Sequence, residues 1–123
     1  MHLDKIFVAI ALMLAMNTLA NEVPEKYLGV WSGVWRSEAS SGDLEFVIRS
    51  NGSGFIEFFN SAEIKTGAIE LDSLIFLGNR INFSLIVSEG VVLEGRLFLI
   101  GGNRLKGSGM MDSLSLTYRL SRE

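Results

Sequence analysis

The chain of 123 residues contains no cysteine, one proline and one histidine. Without cysteine there is neither a disulfide framework nor a thiolate centre, so a core must hold the fold unaided. The single proline, Pro24, precedes all of the periodic sequence, and no later strand loses a backbone donor to it. The single histidine, His2, lies in an N-terminal leader. Once that leader is removed, no imidazole base, imidazole metal ligand or thiol nucleophile survives, and no two acids fall together on an inward face. Catalysis, a metal centre and a cofactor are therefore not expected. Basic residues are in short supply as well. The 11 basic and 14 acidic side chains become 10 and 13 when Lys5 and Asp4 leave with the leader, which keeps the formal net charge at −3 and excludes nucleic acid as a partner.

The leader itself, Met1–Ala20, reads as a secretory signal. Lys5 stands in a short start, an apolar run extends from Ile6 to Met16, and Thr18 and Ala20 supply the small residues of a cleavage site. The run is shorter than the roughly 20 apolar residues of a membrane span, so no stable span is expected after cleavage. The organisation expected is a cleaved signal peptide over residues 1–20 and one domain over 21–123, delivered to the periplasm or secreted.

From Gly29 onward the sequence alternates. Leu44, Phe46 and Ile48 share one face, as do Ile81, Phe83, Leu85 and Val87, then Leu93, Gly95, Leu97 and Leu99, then Leu114, Leu116, Tyr118 and Leu120. Short turns rich in glycine, asparagine, aspartate and serine separate the runs: Asn51-Gly52-Ser53, Gly78-Asn79, Ser88-Glu89-Gly90, Gly101-Gly102-Asn103 and Asp112-Ser113. Two stretches break the pattern. Phe55, Ile56, Phe58 and Phe59 are apolar on both faces, and a three-residue loop before them sends Ile56 and Phe58 inward. Within Gly67–Leu77, Ile69 and Leu71 are out of phase with Leu74 and Phe76, which predicts a bulge near Asp72-Ser73. The fold expected is all-β: an antiparallel up-and-down meander of about eight strands, closed into a barrel because closure removes exposed edges.

Gly29-Val30-Trp31, the segment Ile69–Phe83, the pairs Glu94-Gly95 and Lys106-Gly107, and the terminal Leu116–Arg122 together resemble small lipocalin-like barrels of the calycin kind, which occur in secreted bacterial proteins. The resemblance implies that Trp31, entered through Gly29, packs across the closed end of the barrel with Arg122 laid over it as a cation–π lid. It assigns those three residues a structural part only.

The interior decides the function, since a barrel of about eight strands is just wide enough to be filled by its own side chains or to hold one small ligand. Gly33, Gly95, Gly107 and Gly109 face inward and leave gaps in the wall. Either the rings of Tyr118 and Trp35 cover these glycines, or the gaps line a slot beside Trp35. In the second case Trp35, Phe46, Phe83, Leu97, Met111 and Tyr118 are the wall residues of a site for a small apolar molecule. In the first case the barrel works through its surface, with another envelope protein, an exported hydrolase that it inhibits, or a second copy of itself as partner. Val30, Val34, Val47, Ile86, Val92, Phe98 and Ile100 would be apolar on the outside. Strand direction places Lys26, Arg49, Arg80, Arg104 and Arg122 at the closed end. At the mouth are Glu38, Asp43, Glu63, Glu89 and Asp112, with Lys65 alone against them. An acidic rim disfavours an anionic ligand.

Overall fold

A computed structural model describes residues 23–61 and 66–122. The signal peptide expected over Met1–Ala20 lies outside the described residues. One 3-10 turn, Glu25–Tyr27, precedes nine strands: β1 (Gly29–Arg36), β2 (Ser41–Ile48), β3 (Gly54–Phe59), β4 (Ile69–Glu70), β5 (Ser73–Leu77), β6 (Arg80–Ser88), β7 (Val91–Ile100), β8 (Arg104–Met111) and β9 (Leu114–Arg122). Every pairing is antiparallel, in the order β4-β3-β2-β1-β9-β8-β7-β6-β5. The turns form where the sequence supplies residues that tolerate positive φ, at Gly52, Gly78, Gly90, Gly101, Gly102 and Asp112.

The two outermost members of that order, β4 and β5, belong to one continuous segment. The Leu71 N–H donates to the Gly54 carbonyl at 2.9 Å, and the next amide, that of Asp72, donates to the Ser84 carbonyl at 2.8 Å. The segment therefore pairs first with β3 and then with β6, and the sheet closes on itself as a small barrel. The expected bulge near Asp72-Ser73 is this change of partner, and it divides one of the eight expected strands into two. An exposed clamp secures the crossing, because both Arg49 guanidinium nitrogens donate to Glu70, at 2.9 and 2.7 Å. Arg49 holds the Glu70 carboxyl below its ordinary pKa by this hydrogen bond.

The ambiguous third strand is resolved by its turn. The Arg49 N–H donates to the Ser53 carbonyl at 2.9 Å and the Gly52 N–H to the Arg49 carbonyl at 3.1 Å, which closes a three-residue loop over Ser50–Gly52, one residue earlier than expected, and β3 enters with Ile56 and Phe58 buried. The inward residues of all the long strands then form one core, which contains no charged group among the described residues.

At the closed end the short 3-10 turn delivers Tyr27 beneath the barrel as a plug. Its hydroxyl donates to the Gly78 carbonyl at 2.6 Å, its ring lies 5.2 Å from that of Phe76, and its carbonyl accepts the Trp31 indole N–H at 3.0 Å. Gly29 opens β1 at a φ of +113°. The Arg122 guanidinium stands 4.4 Å from the centroid of the Trp31 ring and donates to the Lys26 carbonyl. Trp31 thus has Tyr27 beneath it and Arg122 across it. The contact with Arg122 is worth roughly 0.5–2 kcal/mol.

Candidate functional site

Towards the mouth, β1 and β9 place Trp35 and Tyr118 opposite each other as cross-strand partners. The Phe83 ring lies 5.2 Å from that of Phe46 and 6.0 Å from that of Tyr118, both edge-on, while Trp35 meets Phe58 edge-on at 6.3 Å. Leu97 is buried in the same cluster. Of the six expected wall residues, Trp35, Phe46, Phe83, Leu97 and Tyr118 thus lie in one core. Met111 packs against that core from its edge, half-buried, as do Val87 and Leu114.

Of the two rings expected over the wall glycines, Tyr118 covers one, while Phe83 takes the place expected of Trp35. A Cβ on Gly95 would fall 2.3 Å from the Phe83 ring, and one on Gly109 would fall 2.8 Å from the Tyr118 hydroxyl. Trp35 lies instead over Gly42, where a Cβ would come within 2.7 Å of its Nε1. These rings occupy the gaps that the missing side chains leave, as aromatics do over strand glycines.

Two polar atoms stand out in this apolar interior. Trp35 Nε1 and the Tyr118 hydroxyl are both buried, and neither has a hydrogen-bond partner among the described residues. Buried Tyr and Trp usually find a partner for their polar end, and a donor left unsatisfied costs about 1–3 kcal/mol. Burial also raises the Tyr118 phenol well above its ordinary pKa of 10.0, and it raises that of Tyr27. A tyrosine whose pKa is higher in the folded chain contributes its full stability below the unfolded value and loses it as pH rises beyond, because the unfolded chain ionises first. Stability is accordingly expected to hold up to about pH 10 and to fall above it, with a shallower fall in Tyr118→Phe. Urea midpoints at about pH 8 and pH 11 test this.

The mouth rim carries Glu38, Asp43, Glu89 and Asp112 on the loops and strand ends around it, while Glu63 and Lys65 lie outside the described residues. Asp43 accepts a hydrogen bond from Asn60 at 2.8 Å. Among the described residues no group of three or more His, Cys, Asp or Glu could hold a metal ion.

A scan against protein-family models finds no match, and neither does a search of the curated proteins. Solved structures do match. A redesigned β-barrel superposes with a TM-score of 0.54 over 85% of this chain and 95% of its own, at 17% identity. Fatty-acid-binding protein 1 of Echinococcus granulosus covers 80% of this chain and 98% of its own with a TM-score of 0.47, at 12% identity. At such identities the likeness concerns the fold alone, and the fold is that of a small antiparallel β-barrel.

Proposed function

We propose that this is an exported, non-catalytic barrel that takes up a small, uncharged, largely apolar molecule through its mouth. The observation that carries the reading is the pair of buried, unpartnered polar atoms, Trp35 Nε1 and the Tyr118 hydroxyl, inside a core otherwise without unmet polar demand. A barrel selected only for stability gains nothing from these groups, since phenylalanine would fill the Tyr118 position at lower cost. A ligand bearing a carbonyl or ether oxygen on an apolar body supplies the missing acceptor. Met111, Val87 and Leu114 form the half-buried apolar rim through which it enters, and side chains of the filled mouth half turn aside to admit it. The acidic rim favours a neutral or cationic molecule over an anion. Export is supported by the Met1–Ala20 leader, and a non-catalytic role by the absence of histidine and cysteine from residues 21–123.

The test is a titration of Trp31→Phe protein, in which Trp35 is the remaining tryptophan, with methyl laurate and with dodecane. Methyl laurate should shift Trp35 emission and bind more tightly than the alkane. Tyr118→Phe should remove about fivefold of that affinity, the worth of one hydrogen bond. An emission spectrum unmoved by either compound would overturn the proposal.

A further inference from the structure

The outside of the barrel is divided electrically from side to side, not only from end to end. The outward rows of β6 to β9 carry Arg80, Arg96, Arg104, Lys106 and Arg119 against a single acid, Glu94. The outward rows of β2 to β4 carry Asp43, Glu45, Glu57 and Glu70, with Arg49 already engaged by Glu70. None of the five cations on the basic wall forms an ion pair with another described residue. Lys106 and Arg119 are direct cross-strand partners, a like-charge pairing that costs stability in the isolated protein.

Exposed apolar side chains gather on this same wall. Ile75, Leu77, Ile86, Val92, Phe98, Ile100 and Met110 all lie on the outward face of β5 to β8, and each is more than 40% exposed. Phe98 stands in one row between Arg80 and Lys106. A depression of about 520 Å³ opens between these groups, lined by Arg80, Asn82, Arg96, Ser108 and Thr117 among others, with Glu94 the one acid on its wall. Within the wall, Arg80 Nε and Asn82 Oδ1 are buried atoms without a hydrogen-bond partner.

We propose that the β5–β9 wall docks on an anionic phospholipid bilayer. The guanidinium groups of Arg80 and Arg96, with the surrounding hydroxyls, receive a headgroup phosphate in the depression. Phe98, Ile100, Leu77 and Ile75 enter the interfacial layer around it. Cations and apolar groups interleaved on one face are what such a surface selects, because each basic side chain gains from the surface potential while its apolar neighbours leave water. The alternatives fit less well. A purely apolar partner leaves five unpaired cations to desolvate, and a soluble anion leaves seven apolar side chains unexplained. The net charge of −3 excludes indiscriminate attraction, so binding must come from this wall with the acidic wall turned away. The inference does not depend on the interior site.

The experiment uses the protein as its own host processes it, mixed with phosphatidylcholine vesicles that hold either no anionic lipid or about 30 mol% phosphatidylglycerol. Sedimentation with the anionic vesicles alone, weakening as salt rises, is the expected result. The double variant Arg80→Ser/Arg96→Ser should lose about 30-fold in partition coefficient. Phe98→Ser should lose several-fold, and Glu45→Gln/Glu57→Gln on the opposite wall should lose none. Three outcomes would overturn the proposal: equal binding to neutral vesicles, displacement by millimolar inorganic phosphate with no preference for vesicles, or vesicle-independent sedimentation as a self-assembly. All three variants replace outward side chains, and a thermal melt of each verifies that the barrel is intact.

Discussion

Trp31→Ala should remove roughly 3–5 kcal/mol of unfolding free energy, the usual cost of deleting a buried tryptophan. That is a large part of the 5–15 kcal/mol that stabilises an ordinary domain, and the melting temperature should fall by roughly 20 °C or more. The reason lies in the closed end. The Trp31 ring is wholly buried, donates to the Tyr27 carbonyl and supports Arg122 on its face. Removing it unseats the Tyr27 plug and exposes the bottom of the core together. Arg122→Gln, which deletes the cation and keeps the ring, should cost only about 0.5–2 kcal/mol. Parallel denaturant titrations of the two variants measure the difference. Equal losses would mean that Arg122, not the ring, organises this end.

The second large effect is expected at a glycine. A Cβ on Gly107 would fall 1.8 Å from the Arg96 carbonyl oxygen, whereas one on Gly95 would meet the Phe83 ring. A ring can tip aside, but a ladder carbonyl cannot move without separating β7 from β8. Gly107→Ala should therefore cost roughly 3 kcal/mol, the upper part of the range for overpacking, and Gly95→Ala about 1–2 kcal/mol. Adding Phe83→Leu should recover part of the loss in Gly95→Ala and none of it in Gly107→Ala. A double-mutant cycle read by chemical unfolding separates the two cases.

Much of this barrel could be read from the chain because its alternation is strict. The runs Ile81-Phe83-Leu85 and Leu93-Gly95-Leu97 fix which face of β6 and β7 turns inward, and the Gly101-Gly102-Asn103 and Asp112-Ser113 turns fix the registers that place Gly95 beside Gly109 and Gly107 beside Tyr118. Even the phase slip between Leu71 and Leu74 marked the point where the closing segment changes partner. Other features depend on distances that no pattern encodes. Which ring covers which glycine is set by the coil of the sheet, so Phe83, not Trp35, lies over Gly95. The burial of Tyr27 comes from a single 3-10 turn, too short to show a period. The basic wall is likewise not legible along the chain. Its members are spread over four strands, and they become neighbours only when the outward rows of all the registers are laid side by side.

The segment Ile69–Leu77 gives the barrel a property that a uniformly laddered cylinder would not have. Pairing around the wall forms a ring with one weak link, where β4 holds only β3 and β5 holds only β6. A ring of equal links opens only by global unfolding. Here, local opening needs to part little more than the hydrogen bonds donated by the Leu71 and Asp72 amides and the two-residue β3–β4 ladder, a sub-global event of low free energy. The barrel can therefore breathe along a single line, like a purse with one clasp, without melting the core that holds it.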